Sequence, residues 1–434
     1  MKILFLNYSL DTEQFMGQVS NIQPEIEAGI RKDKDQSIVI HALRLVKTIG
    51  KCGHSHIESN PGHLESEKRL LHFWLNFLKP SLLDSIEARD CPVLKAALCN
   101  CIAEVGGKIF CALPTDRRML AVTLMLRLCR DPDHRTVTSA VRGIGMMVSL
   151  PTLQNDMAFL TDSAEIILEL LSQKQPHHTV VTSCTWALAN LSDSIAKYHQ
   201  NRASKEQDQL SSLDDVFPPF LVLELIRKSV TFSFATNSHM NIRSNRLVKI
   251  SKIYSYEIRY DQGPFFSVRS LGSLIQCLGA MTKWVQLNDF QEVEDICSSA
   301  VDAIVMNVSC GKVMKVRWNA CYAAGGILRT RNLFRSESFN DKLIEALIPV
   351  IEECPNYKVR INASLALMSV PTREAFDNHF SKAVVTIAKA MESTVTSFDE
   401  VEEVQVLLRR LIYGNERLIY EYFFLIFSSI ERSS

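Results

Sequence analysis

The sequence predicts an all-α protein of armadillo/HEAT type, an α–α superhelix wound as a right-handed solenoid of about six to eight helical pairs. Three observations predict it. A small-residue helical signature recurs at a near-constant spacing, a second class of apolar helix alternates with it, and polar turns containing proline separate the two. The signature is clearest in "VRWNACYAAGGIL", residues 316–328, where Ala320 marks a slot filled by a small side chain.

Sister segments carry the slot along the chain: "IVIHALRLVKTIG" at Ala42, "VLKAALCNCIAEV" at Ala97, "TVTSAVRGIGMMV" at Ala140, "VVTSCTWALANLS" at Cys184 and "VRINASLALMSV" at Ala363. The spacings 97 to 140, 140 to 184 and 320 to 363 are 43, 44 and 43 residues. A helical repeat of about 40–47 residues is the mark of HEAT or armadillo arrays. Each unit reads as a helix A, a turn, and a helix B that bears the slot. "RRMLAVTLMLRLCRD", "DSAEIILELLSQK" and "DKLIEALIPVIEEC" are A helices. "RDPDH" at 130–134 and "EECPN" at 352–356 are the turns into helix B, and Pro151 and Pro371 follow it, where a helix stops at little cost. Small residues at Ala320, Ala323 and Ala324 let helix B approach its neighbours, and the glycines at 325 and 326 are expected to relax its end.

One signature is split. "IRSN" at 242–245 joined to "SVRSLGSLI" from 267 makes a good tooth with Ser267 in the slot, and 246–266 intervene. An insertion in mid-helix severs a packed element, so 246–266 are expected to be an insertion, read as translated retained intron, with a genuine surface loop bulging from a split helix as the alternative. Residues 197–219, polar and ending in Pro218-Pro219 with Ser204, Ser211 and Ser212, are expected to be a flexible loop within a single solenoid over 1–434. Residues 408–434 read as a divergent tail.

Composition narrows the function classes. The chain is 47% hydrophobic and 22% charged, with 48 basic and 48 acidic residues. That balance leaves little basic surplus for nucleic acid, so none is expected as a partner. No apolar run reaches the roughly 20 residues of a membrane span, and the N-terminus has too short an apolar core for a secretory signal. Twelve cysteines without a C-x-x-C pair, most within apolar helices, fit reduced buried thiols and an intracellular location, cytoplasmic, nuclear or both.

Taken together, "SAVRGIGMMVSLPTLQNDMAFLTDSAEIIL", "TSCTWALANLSDS", "KVRWNACYAAGGIL", "KVRINASLALMSVPTRE" and "HFWLNFLKPSLLDSI" resemble the C-terminal repeats of the HEAT repeat-containing protein 6 family, from about 69 to about 403. The resemblance implies a non-catalytic interaction scaffold and a portion of a longer protein. The 246–266 stretch and the tail depart from the family's pattern.

Four features are candidates for chemistry. Cys52, His54, His56 and His63 sit close together, but one cysteine among alternating histidines lacks paired zinc-ligand spacing, and a solvated loop is expected there. Trp186 and Asn190 share a helix face and resemble the pair by which armadillo import adaptors hold extended basic peptides. The equivalent positions, Arg142/Met146, Tyr322/Gly326 and Leu365/Ser369, do not repeat the pair. Arg243, Arg317 and Arg360 recur three residues before the slot, with Lys315 and Lys358 nearby. They form either a basic strip for an acidic partner or ion pairs with turn residues such as Glu352 and Glu353. No phosphate-binding glycine loop, nucleophile elbow or zinc-protease motif occurs, so no catalytic residue, metal or cofactor is assigned. The expected function is a scaffold for protein–protein interaction, the alternative an importin-like adaptor for basic peptides.

Overall fold

In the computed structural model, residues 12–32, 35–205, 216–234, 263–281, 293–311, 313–329 and 338–395 are described. Arg243, residues 246–262, the middle of the 197–219 stretch (206–215) and the tail 408–434 lie outside them. The described elements are helical throughout, an α-solenoid built of A–B pairs, in two compact units, Met1–Leu191 and Ser192–Ser434.

The first unit contains α1 (Thr12–Lys32), α2 (Gln36–Ser59), α3 (Leu64–Phe77), α4 (Pro80–Glu87), α5 (Pro92–Ile102), α6 (Gly107–Ala112), α7 (Thr115–Leu128), α8 (His134–Met147), α9 (Pro151–Gln154) and α10 (Met157–Leu171). It also takes in the first half of α11 (His178–Lys205). Helices α2, α5 and α8 pack in succession as B helices, with α1, α3, α4 and α7 behind them as the A layer. The second unit holds the rest of α11, then α12 (Pro219–Phe234), α13 (Gly263–Met281), α14 (Val293–Cys310), α15 (Met314–Leu328), α16 (Ser338–Glu353), α17 (Tyr357–Met368), a 3₁₀ turn (Glu374–His379) and α18 (Phe380–Val395). Here α13, α15 and α17 stack as B helices against α12, α14 and α16, and α18 packs on α16.

The turns expected to open helix B do so through side-chain caps. Asp133 accepts from the Arg135 amide at the start of α8, and Asn356 accepts from the Val359 amide at the start of α17. Each cap satisfies a donor that the helix geometry orphans, a contribution of about 1 kcal/mol. Pro80, Pro92 and Pro151 occupy first-turn positions, where a missing N–H costs nothing.

The slot residues Ala42, Ala140, Cys184, Ala320 and Ala363 are fully buried. Ala97 is not, and the α5 register is corrected by one residue: Leu94, Leu98, Cys99, Cys101 and Ile102 form its buried face, so Leu98 holds the slot. With that register a rule appears at four B–B crossings, α5–α8 and α8–α11 in the first unit and α13–α15 and α15–α17 in the second. The residue five beyond the slot meets the residue three beyond the slot of the next B helix: Ala103 on Gly143, Gly145 on Ala187, Gly272 on Ala323, Gly325 on Ala366. A Cβ built on Gly145 would lie 2.8 Å from the Ala187 Cα, one on Gly272 2.6 Å from the Ala323 Cα, and one on Gly325 3.0 Å from the Ala366 Cα.

These glycines therefore do not relax a helix end, as expected for Gly325. They lie inside packed helices, where each costs about 0.5–1 kcal/mol of propensity and is kept because nothing larger fits. The same contact confirms the register of α13: Gly272 stands five residues beyond Ser267 and meets Ala323 as the other glycines meet their alanines. α13 begins at Gly263, so the last residues of the 246–266 stretch form its first turn.

Two further expectations are revised. Helix α2 runs through Ser59, so Cys52, His54 and His56 are helical, and only His63, preceding α3, is in the connection. The reason is that Ile49, Gly50, Gly53 and Ile57 carry the 3.6-residue buried stripe through the polar stretch. Helix α11 extends through Lys205, so 197–205 are helix and not loop, and its own His199 is fully buried.

The crossing rule makes a paired prediction. Gly272→Ala should lower unfolding stability by about 1–3 kcal/mol, because backbone must move to admit the methyl group. Gly326→Ala, whose Cβ would sit at ordinary contact distance (3.4 Å from the Gly272 carbonyl carbon), should leave stability unchanged or raise it by up to about 1 kcal/mol. Urea denaturation of both variants reads the difference; equal losses would refute the rule.

Candidate functional site

The B helices of the second unit carry the site. The position two beyond the slot is turned outward; it holds arginine on α8 and α13, an aromatic on α11 and α15, and Leu365 on α17. Arg269 of α13 lies over the ring of Tyr322 on α15, 5.4 Å from its centroid. The first unit repeats this, with Arg142 of α8 over Trp186 of α11 at 5.1 Å. Such cation–π contacts contribute about 0.5–1 kcal/mol each at exposed sites. Asp193 anchors the second-unit pair, accepting from Arg269 Nη2 at 2.5 Å and from the Ser273 hydroxyl. Burial, aided by the Asp193 carboxylate, pushes the Tyr322 hydroxyl above its ordinary value, so it stays a neutral hydrogen-bonding group although the residue is 50% exposed.

Beside this pair a cleft of about 430 Å³ crosses α13, α15 and α17. Gly272, Gly325 and Gly326 lie in it, and Tyr322, Arg329, Leu365 and Met368 are its larger side chains. Gln276 Nε2 donates to the Gly326 carbonyl at 2.9 Å, tying α13 to α15 across the cleft. The cleft follows from the crossing rule, since helices held at glycine contact leave a hollow between the long side chains on either side.

The residues singled out from the sequence take other roles. Trp186 and Asn190 do share a face of α11, but both engage α8: Asn190 Nδ2 donates to the Gly145 carbonyl at 3.0 Å, and the Trp186 ring packs where a Gly145 side chain would be. Arg317 and Arg360 are turned to the ends of the A helices. Arg317 Nε donates to the Val308 carbonyl at 3.0 Å and Arg360 Nε to the Ile351 carbonyl at 2.6 Å, each nine residues back in the last turn of helix A. A cation there satisfies an orphan carbonyl and complements the helix dipole. Arg360 is 8% exposed, with its guanidinium over Tyr357, and burial lowers its pKa. Neither arginine stands on an open strip, and neither is ion-paired with Glu352 or Glu353; they cap helices.

Among the described residues no group of three or more His, Cys, Asp or Glu is placed to hold a metal ion, and no helix is long and apolar enough to cross a membrane. All twelve cysteines are free thiols. Burial pushes the Cys321 thiol up to about 12, and those of Cys99, Cys101, Cys184 and Cys277 higher still, which makes them inert packing groups.

The sequence reading missed Arg269, Tyr322 and Arg329 as surface groups. A signal was present: the column holding Trp186 reads Arg142, Trp186, Arg269, Tyr322 once α13 is in register, which is a cation–aromatic alternation and not a recurring Trp–Asn pair. A second unforeseen cluster lies at the starts of α8 and α11, where His134, His177 and His178 stack with centroids 3.8 and 4.4 Å apart. His177 Nδ1 accepts from the Thr179 amide, and desolvation together with His134 and His178 lowers its pKa.

No family model matches this chain. A curated relative, an uncharacterized protein of Dictyostelium discoideum, is 21% identical over 446 aligned positions covering 86% of this chain, which spans 29% of that protein's length. Among solved structures, an engineered protein superposes with a TM-score of 0.38 at 13% identity, over 68% of this chain and 97% of that one. Kap121p bound to Pho4p superposes with a TM-score of 0.32 at 13% identity, over 95% of this chain and 43% of that one.

Replacing Arg360 with Met should destabilise the fold by about 1–2 kcal/mol, since the Ile351 carbonyl loses its donor, and Arg317→Met should behave alike; thermal unfolding of each measures it. The histidine stack sets a pH dependence. A lowered folded pKa favours the neutral imidazole, so its stabilisation is complete above the ordinary value of 6.5 and is lost as pH falls below it. Melting temperature should drop between about pH 7.5 and 5.5, and His177→Asn, which keeps a capping acceptor, should flatten that drop.

Proposed function

We propose that this chain is a non-catalytic helical-repeat scaffold that docks a protein partner on the B-helix face of its second unit. The cleft across α13, α15 and α17 is the observation that carries this reading: an open hollow bordered by an exposed tyrosine, an arginine and amide side chains. Repeat stacking buries the flanks of every helical pair and leaves such faces free for ligands. Tyrosine and arginine are the side chains that most often anchor protein interfaces. The quoted signatures support kinship with the HEAT repeat-containing protein 6 family, and with it an intracellular scaffold whose full length exceeds this chain.

The adaptor alternative, a receptor for basic peptides through Trp186 and Asn190, is less well supported. Asn190 spends its amide on the Gly145 carbonyl of the neighbouring helix. The docking reading is tested by affinity capture with the full chain, followed by hydrogen exchange on the captured complex. Protection of α13, α15 and α17, together with at least about tenfold weaker capture by Tyr322→Ala, is expected. Identical capture by that variant, or protection confined to other helices, would overturn it.

A further inference from the structure

Granting that the cleft docks a protein, we propose that its ligand is an extended, acidic segment that places an Asp or Glu carboxylate on Arg329. The charge pattern of the cleft carries this. Of the thirteen lining residues, Arg329 alone is charged, and none is a carboxylate. Arg329 is exposed at the C-cap of α15, and its hydrogen bond in the structure is a long one, 3.4 Å from Nη2 to the Ser369 hydroxyl. Among the described residues no carboxylate pairs with it, whereas Arg269 across α15 is neutralised by Asp193. A guanidinium presents paired donors in a planar fork that fits a carboxylate. Among the described residues, Arg329 thus keeps most of that fork for a ligand inside an otherwise neutral hollow.

The extended conformation follows from the lining. Gly272, Gly325 and Gly326 remove side chains where a ligand backbone would lie, the usual role of glycine where a chain must approach closely. Gln276 and Asn362 each commit one N–H inside the protein, to the Gly326 and Lys358 carbonyls. Their amide oxygens remain as acceptors for peptide N–H groups. A basic segment would meet Arg329 with no carboxylate among the lining residues to offset it, so the cleft selects by repulsion as well as by attraction.

The test uses the full chain and short synthetic peptides in matched sets, identical except that each Asp/Glu is replaced by Asn/Gln or by Lys. Binding is read by fluorescence anisotropy, and location by hydrogen exchange. Acidic peptides should bind with protection of α15 and α17, and weaken as salt rises. Arg329→Ala should cost about tenfold in affinity, Arg329→Glu should abolish binding, and both should leave the melting temperature near the parent's, because the residue is exposed. If the Asn/Gln peptides bind and protect the cleft equally well, or if Arg329→Glu binds acidic peptides unchanged, the acidic reading falls while docking at the cleft stands. If no peptide of any charge protects the cleft, the acidic reading falls, and a captured partner that protects other helices removes the docking reading with it.

Discussion

The architecture depends on how closely consecutive B helices can approach. At each of four crossings, one residue five beyond the slot meets one three beyond the next slot, and at every crossing one of the two is glycine and the other alanine. Interaxial distance is set by the side chains at the contact, and at three of these crossings a Cβ on the glycine would lie within 3.0 Å of the neighbouring helix backbone. Glycine inside a helix is unfavourable by itself. It is retained here because the dispersion and burial gained along the whole crossing outweigh its propensity cost.

That constraint also shapes the surface. Where helices meet at glycine, the residues one turn away on the outer side stand apart, and the hollow between them becomes the cleft of the second unit. The outward column two beyond the slot spans the gap with an arginine laid over an aromatic ring, in both units. Inside, arginines three before the slot close the last turns of the A helices, so one residue type serves two purposes at two registers. The buried capping arginine is costly to desolvate, and it persists because the carbonyl it satisfies would otherwise be orphaned.

Much of the fold was legible along the chain. The repeat spacing, the small slots at Ala42, Ala140, Cys184, Ala320 and Ala363, and the turns into helix B at "RDPDH" and "EECPN" all appear as read. Local pattern misled where polarity masqueraded as loop. Residues 52–59 and 197–205 look solvated, yet a buried stripe at helical spacing runs through the first and a fully buried His199 anchors the second. At α5 two adjacent alanines made Ala97 attractive as the slot, and only the buried face identified Leu98.

The helical class, the repeat and its period could be read along the chain because they are written in spacing and side-chain size, which are local properties. Tertiary structure alone decided what the polar residues do. Trp186 with Asn190 and Arg317 with Arg360 are indistinguishable from surface ligand-binding groups until the neighbouring helix is in place. Then the nearest unsatisfied carbonyls, those of Gly145, Val308 and Ile351, take their donors. Arg329 keeps its charge for the cleft for the complementary reason: no carboxylate of the described chain comes within reach of it.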